Sequence, residues 1–206
     1  MKEKVIRGKK VVYAESAREM RGMLSEYSTQ LLAQTGSAIA ICQSKSSTME
    51  DFVTKMPRVW EPQRKAYIYM EDFRVLISHR SDNGRFSLVG GARKLCESFE
   101  ETAYRELGEE TGLELSDMLF LGMISGGDEM VNIYPDGNAA EGLDALYMAM
   151  VPRGTVARPN TETTEFIWMT PDEIQVKVEA GEWHPAQAKT VKCLLDSLLV
   201  LPEIYS

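Results

Sequence analysis

A short strand, a pair of glycines and a helix with a defined start and stop occupy residues 86–112, and no other stretch constrains the chain as tightly. Phe86-Ser87-Leu88 reads as the strand and runs into Gly90-Gly91. Glycines there let the backbone turn tightly and bring a carbonyl or amide close to a metal or phosphate. A helix is predicted from about Ser98 to Thr111. Ser98 and Glu101 form a capping box at its start, and Gly112 supplies the left-handed stop. At 100° per residue Glu106 and Glu110 lie about 40° apart, with Glu109 about 60° to the other side. Ala103, Tyr104 and Leu107 point roughly the opposite way and offer the face to bury.

Like charges three and four residues apart cost a helix roughly 0.2–0.5 kcal/mol per pair. A hard cation among the three acids removes that cost, because Mg²⁺ and Mn²⁺ prefer oxygen ligands. A lone Glu-x-x-Glu-Glu more often means a solvated acidic face, so the neighbours decide. Here they include the glycine pair, Glu97 at the end of the loop and Arg105 eight residues on. A fork of hydrogen bonds from Arg105 to Glu97 would brace the loop against the helix.

Around this unit the pattern is mixed. Ser16 with Glu19 has capping-box spacing, and Met20, Met23, Leu24, Tyr27 and Leu31 recur at helical intervals up to Gly36. A second helix opens at Thr48–Asp51 and ends at Pro57, with a short strand at Val11–Tyr13. Residues 1–62 are therefore expected to be a mostly helical arm or small subdomain, and residues 63–206 the main domain. In the latter, strands are predicted at 66–70, 74–79, 118–123, 130–134, 145–151 and 166–169. Pro135-Asp136-Gly137-Asn138 forms a turn, Pro171 starts a helix, and 185–199 forms the last one. The fold class is α+β, a mixed sheet flanked by helices.

Charge is uneven: residues 1–60 balance at +4 and residues 61–206 at -12. An acidic body argues against a nucleic-acid duplex as partner, since phosphate neutralisation needs clustered Lys and Arg. A phosphate-bearing substrate would need cations to offset repulsion, which again points to metal. No apolar run approaches the ~20 residues that cross a bilayer, and the N-terminus lacks a secretory core. Three widely spaced cysteines fit neither a disulfide framework nor a zinc cluster. A cytoplasmic protein without a membrane partner is the expectation. His79 and His184, over a hundred residues apart, read as strand-end or surface residues, and the strand methionines as core filler.

Gly91, five residues, Glu97, seven residues, then Arg105-Glu106-Leu107-Gly108-Glu109-Glu110-Thr111-Gly112-Leu113 resembles the complete signature of the Nudix hydrolases. At average residue usage its chance occurrence is below about 10⁻⁶, so the match is not accidental. Glu162-Thr-Thr-Glu165-Phe-Ile-Trp168 with Pro171-Asp-Glu-Ile is similar to the family's late strand and following helix. Val89 stands where many members have proline, and Cys96 where glycine is common.

The resemblance implies a Nudix-type α/β/α sandwich and hydrolysis of a nucleoside diphosphate linked to a group X. It implies that the Gly90 carbonyl, Glu106, Glu109 and Glu110 hold one to three Mg²⁺ or Mn²⁺ ions, with Glu97 and Arg105 orienting them. The proton acceptor is Glu106 or Glu109, or a glutamate of a later loop, for which Glu162 and Glu165 are candidates. Asp128 and Glu129 stand where ADP-ribose-cleaving members often carry proline, and the coenzyme A signature is missing. Leu31-Leu-Ala-Gln-Thr-Gly36 is faintly similar to the arm of CDP-alcohol pyrophosphatases, so X is left among ADP-ribose, nucleotide-sugar and CDP-alcohol types. Phe86 and Tyr134 are candidates to stack a base, against the blander reading of core packing. A Nudix-fold nucleotide sensor without turnover is the alternative; every acid of the signature is present, which favours an enzyme. A helical arm with an apolar stripe needs a partner surface, so a homodimer is expected.

Overall fold

The computed structural model describes residues 2–6, 8–13, 34–43, 73–94, 96–133 and 139–199. A hairpin of β1 (Lys2–Ile6) and β2 (Lys9–Tyr13) forms a two-stranded sheet. The main sheet follows the order β10 (Thr163–Met169), β4 (Arg74–Arg80), β3 (Gln34–Gln43), β9 (Ala139–Met150), β7 (Leu119–Ser125). Short strands β5 (Phe86–Ser87), β6 (Val89–Ala92) and β8 (Val131–Ile133) pair with β4, β3 and β9 respectively. Only the β3–β9 pair is parallel among the described strands.

Alternation along β3 and β9 builds two cores. Ile39, Ile41, Ala145, Tyr147 and Ala149 face helix α1 (Phe99–Thr111), which contributes Ala103 and Leu107. Ala38, Ala40, Leu146 and Met148 face the opposite layer, α2 (Pro171–Glu179) and α3 (Ala188–Leu199), which contributes Ile174, Val191, Leu194 and Leu195. The result is the expected α/β/α sandwich with a mixed sheet. Both caps of α1 form as predicted. Ser98 and Glu101 make the reciprocal capping box, and Gly112 sits at φ 67° with its N–H donating to the Gly108 carbonyl.

The N-terminal expectation needs correction. Every described residue of the first sixty-two that belongs to an element is in a strand, and β3 is a central strand of the main sheet. Gly36 therefore lies within a strand and stops no helix. The sequence misled because β3 is covered on both faces: Ser37-Ala-Ile-Ala-Ile-Cys42 is a continuous buried run without alternation. The sheet of the domain expected to begin at residue 63 thus takes one of its middle strands from the segment read as an arm. The helix predicted after Ser16, as far as residue 33, the helix at 48–57, the strand at 66–70 and the turn at 135–138 lie outside the described residues; Gln34 and Thr35 already belong to β3. Elsewhere β9 and β10 begin earlier than predicted, at Ala139 and Thr163.

Leu107 is fully buried and packs in one cluster with Ile39, Ile41 and Tyr147 of the sheet. We expect Leu107→Ala to lower unfolding free energy by about 2–5 kcal/mol in a urea titration. An unchanged midpoint would mean that α1 is not held through this face.

Candidate active site

The loop between β6 and α1 is drawn onto the helix by one side chain. Arg105 projects from the middle of α1 and uses all five of its N–H donors. Nε and Nη2 form a fork on the two oxygens of Glu97, at 2.7 and 3.0 Å. Nη1 donates to Glu106 Oε1 and to Glu109 Oε2, the latter at 3.0 Å. Nη2 also reaches the Ala92 carbonyl at 3.0 Å, at the end of β6. This guanidinium is therefore kept firmly charged, first by its bonds to Glu97.

Glu97 is the matching hub. It accepts from Arg105, from the Lys94 N–H at 2.9 Å and from the Thr102 hydroxyl at 3.1 Å. These donors, Arg105 foremost, hold its carboxyl down at about 2. Cys96, just before it, takes φ 69° and is the one described non-glycine residue in the left-handed region. That conformation costs a side-chain-bearing residue roughly 1–2 kcal/mol, which gives a physical reason why glycine suits this position.

The glycine pair separates the acids from a cleft. A Cβ at Gly91 would lie 2.5 and 2.8 Å from the two oxygens of Glu106, so only glycine lets that carboxylate rest against the strand. Gly90, at φ 144°, has no room for a Cβ against the Ser37 carbonyl, and its N–H donates to Glu110 Oε2 at 3.2 Å. Glu110 is only 7% exposed. Burial pushes its pKa up to about 8; the Gly90 bond opposes this, while the charges of Glu106 and Glu162 add to the rise. On the other side of the glycines a cleft of about 530 Å³ opens, with Arg80, Asp144, His184 and Gln187 among its walls.

Of the residues singled out in the sequence, the fold brings Glu97, Arg105, Glu106 and Glu109 into one network and sets Glu110 beside Gly90. The two later glutamates part company. Glu162 is close enough for its charge to act on Glu110 and on Arg80. Glu165 instead pairs with His79 at 3.7 Å on the edge of β10. Phe86, read as either a base platform or core packing, is 8% exposed; its ring stacks on His79 with centroids 5.0 Å apart and carries the Lys177 ammonium over it. Tyr134 lies outside the described residues.

Several site residues escaped the sequence reading. Arg80 ends β4 inside the cleft, held by a fork to Asp82 at 2.9 and 3.0 Å. Gln187 clamps both the N–H and the carbonyl of Leu88 at 2.7 and 3.3 Å, across ninety-nine positions. Asn160 donates to the Glu109 carbonyl at 3.2 Å. Their partners are remote in sequence, so no local pattern marks them.

The donor set suits a hard divalent cation: carboxylates and a backbone carbonyl, with no competing thiolate or imidazole in the network. Among the described residues no three acidic, histidine or cysteine side chains converge as a ready cage. Instead Arg105 holds Glu106 and Glu109, and the Gly90 N–H holds Glu110. The cradle over Gly91 and the buried carboxyl of Glu110 fit a metal, whose arrival would favour the ionised carboxylate beside Glu106.

The chain matches the NUDIX domain pattern over residues 61–192. It is 34% identical over 111 residues to a "MutT-like protein" of Streptomyces ambofaciens, covering 54% of this chain and 64% of that protein. The chain thus spans about 64% of the length of this curated relative. Among solved structures it resembles the Nudix hydrolase RenU of M. smegmatis, with TM-score 0.53, 16% identity, and 84% and 90% of the two chains covered. A MutT protein from Methanosarcina mazei Go1 gives TM-score 0.52 at 17% identity, over 82% and 96% of the chains. At these identities the two structures speak for the fold.

A buried acid with a raised pKa stabilises the fold below its unfolded value of 4.5, and that contribution is lost as pH rises through about 8. Glu110→Gln should therefore stabilise the metal-free protein at pH 8.5 by on the order of 3 kcal/mol, and by little at pH 4.5. Denaturant midpoints of both proteins in a chelator check this; equal midpoints at both pH values would contradict the burial argument.

Proposed function

The chain belongs to the Nudix family, and from that premise we propose that it is a divalent-metal-dependent pyrophosphohydrolase acting on a nucleoside diphosphate linked to a group X. One observation carries this reading: the acids of the helix are organised by Arg105 against a glycine pair that also walls a cleft. A solvated acidic face needs neither a saturated arginine nor a buried Glu110.

In this reading the Gly90 carbonyl, Glu106, Glu109 and Glu110 would hold Mg²⁺ or Mn²⁺. When bound, such an ion supplies a water of lowered pKa and neutralises charge on the phosphates. The protein's own residues set the geometry. Glu97 and Arg105 fix the loop, so the carbonyls of β6 and the helix acids stay in register. Gly90 and Gly91 bring the backbone close to the diphosphate without side chains in the way. Arg80, at the cleft wall, offers a guanidinium to phosphate oxygens. The proton of the attacking water passes to a carboxylate within hydrogen-bond reach, for which Glu106, Glu109 and Glu162 remain candidates. The electrostatic nearness of Glu162 to Glu110 supports it over Glu165.

A cytoplasmic setting belongs to the same reading, supported by the absence of disulfides among Cys42, Cys96 and Cys193. No described helix is long and apolar enough to cross a membrane. The homodimer rests on the apolar stripe of Met20, Met23, Leu24, Tyr27 and Leu31.

With Mg²⁺ and a panel of nucleoside diphosphate derivatives, the purified chain should release a nucleoside monophosphate, and excess chelator should abolish the release. Glu106→Gln and Glu109→Gln should each lower kcat by about 10²–10⁴-fold with the fold intact by circular dichroism. Tight binding of a nucleotide with no product would favour a sensor instead. Sedimentation should give twice the 23.2 kDa chain mass; a sharp monomer at micromolar concentration would overturn the dimer.

A further inference from the structure

Asp144 is a carboxylate where the fold calls for a hydrocarbon. It lies on the face of β9 that continues through Leu146, Met148 and Met150, all buried against the α2–α3 layer. One oxygen, Oδ2, accepts from the hydroxyl of the buried Thr190 on α3 at 3.1 Å. Among the described residues no cation lies within ion-pair distance of it. Burial accordingly pushes its carboxyl up, and Thr190 offsets only part of the rise. A part-buried acid whose one described partner is a hydroxyl is costly and demands a reason.

The surroundings supply one. Asp144 lines the cleft that Gly90 and Gly91 also line. Its second oxygen, Oδ1, faces the space above Gly36, where a Cβ would stand 3.4 Å away and would also strike the Gly91 carbonyl at 2.6 Å. Gly36 thus leaves the carboxylate uncovered toward the cleft, with Met130 and Ile133 supplying apolar wall. Ala92, Gly36 and Asp144 form one row across β6, β3 and β9. The Gly91 carbonyl and Asp144 Oδ1 both reach the space over Gly36, 2.6 and 3.4 Å from where its Cβ would stand, so the carboxylate sits close beside the glycine strand. In the proposed reading the diphosphate sits at Gly90-Gly91, and a nucleoside running along this row toward β9 would meet the Asp144 carboxylate.

We infer that Asp144 reads the base of the substrate, accepting a hydrogen bond from an exocyclic amine of the kind carried by adenine and cytosine. Hypoxanthine and uracil bear a carbonyl at the same place. A carbonyl there faces the acceptor without a proton between them, and both groups lose their water for no bond. The bond from an amine is charge-assisted and formed away from bulk solvent, the setting in which hydrogen bonds discriminate most. Among the other acceptors of the cleft, Gln187 is committed to the Leu88 backbone, both oxygens of Asp82 to Arg80 and Asn83 Oδ1 to the Arg85 N–H, which leaves Oδ1 of Asp144 as the carboxylate oxygen open to a ligand.

This inference rests on the reading that the cleft takes a nucleoside diphosphate compound, and the test separates the two. Calorimetric titration of the full chain with CMP, UMP, AMP and IMP reads base preference without any bond to cut. CMP and AMP should bind at least tenfold more tightly than UMP and IMP. Asp144→Asn keeps the shape and the Thr190 bond but brings an amide N–H, so a folded variant should lose or invert that ratio. N6,N6-dimethyl-AMP, which has no amine proton, should bind the unmodified protein at least tenfold more weakly than AMP; this arm needs no variant. Equal affinities within each pair, an unchanged ratio in folded Asp144→Asn, or undiminished binding of the dimethyl compound would each overturn the inference. Turnover of diphosphate compounds without base preference would leave the proposed reaction standing and remove this one. Base preference without turnover would do the reverse.

Discussion

The saturated guanidinium of Arg105 is the interaction on which the site depends. Three acids and a strand-end carbonyl converge on it, and each would repel the others without it. A lysine could not replace it, because only a planar five-donor group can grip Glu97 bidentately while reaching the helix acids and the loop. The loop 93–98 has no core of its own. Among its described residues Glu97 ties it down: Oε1 accepts from Arg105, and Oε2 accepts from Arg105, the Lys94 N–H and the Thr102 hydroxyl. The helix in turn is fixed by ordinary means, two caps and a pair of buried aliphatic positions. Rigid scaffold and charged network are thereby joined through a single side chain.

Next in importance is the thinness of the wall at Gly90-Gly91. Glu106 and Glu110 press against this pair from the helix side, while the same residues form part of the cleft. Any side chain at 91 would displace the Glu106 carboxylate, and one at 90 would collide with β3. The cluster also works against stability. Glu110 is buried next to Glu106, an arrangement that a fold selected for stability alone would avoid. The same holds for Asp144 among methionines and leucines. Asp144 lines the cleft, and Glu110 lies behind Gly90, which forms part of its wall.

Much of this was legible in the residues. The capping box at Ser98–Glu101 and the glycine at 112 are local hydrogen-bond rules, read over four residues, and they bounded α1 as observed. The Glu97–Arg105 fork followed from spacing and charge. Local patterns failed where burial is complete. β3 looks like the end of a helical arm because a strand covered on both faces shows no period. Phe86 could be read as a base platform or as core, and the packing of His79 and Lys177 around its ring is visible only in the fold. Glu162 and Glu165 are equivalent on paper. The register of β10 against β4, with its irregularity between Thr163 and Glu165, turns the second toward His79 and leaves the first near Glu110.

By itself, then, the chain's order of residues determined a helix with fixed ends, an acid cluster on one side of it, a glycine pair before it and the membership of a family. These are short-range facts, set by backbone geometry and by charges a few positions apart. Tertiary structure alone decided which residues meet across the cleft: Arg80, Asp144 and Gln187 come from three distant segments. It also decided that a strand from before residue 63 would close the sheet. The reason is physical: sheet pairing and burial join positions separated by tens of residues, and no local spacing encodes which of them will be neighbours.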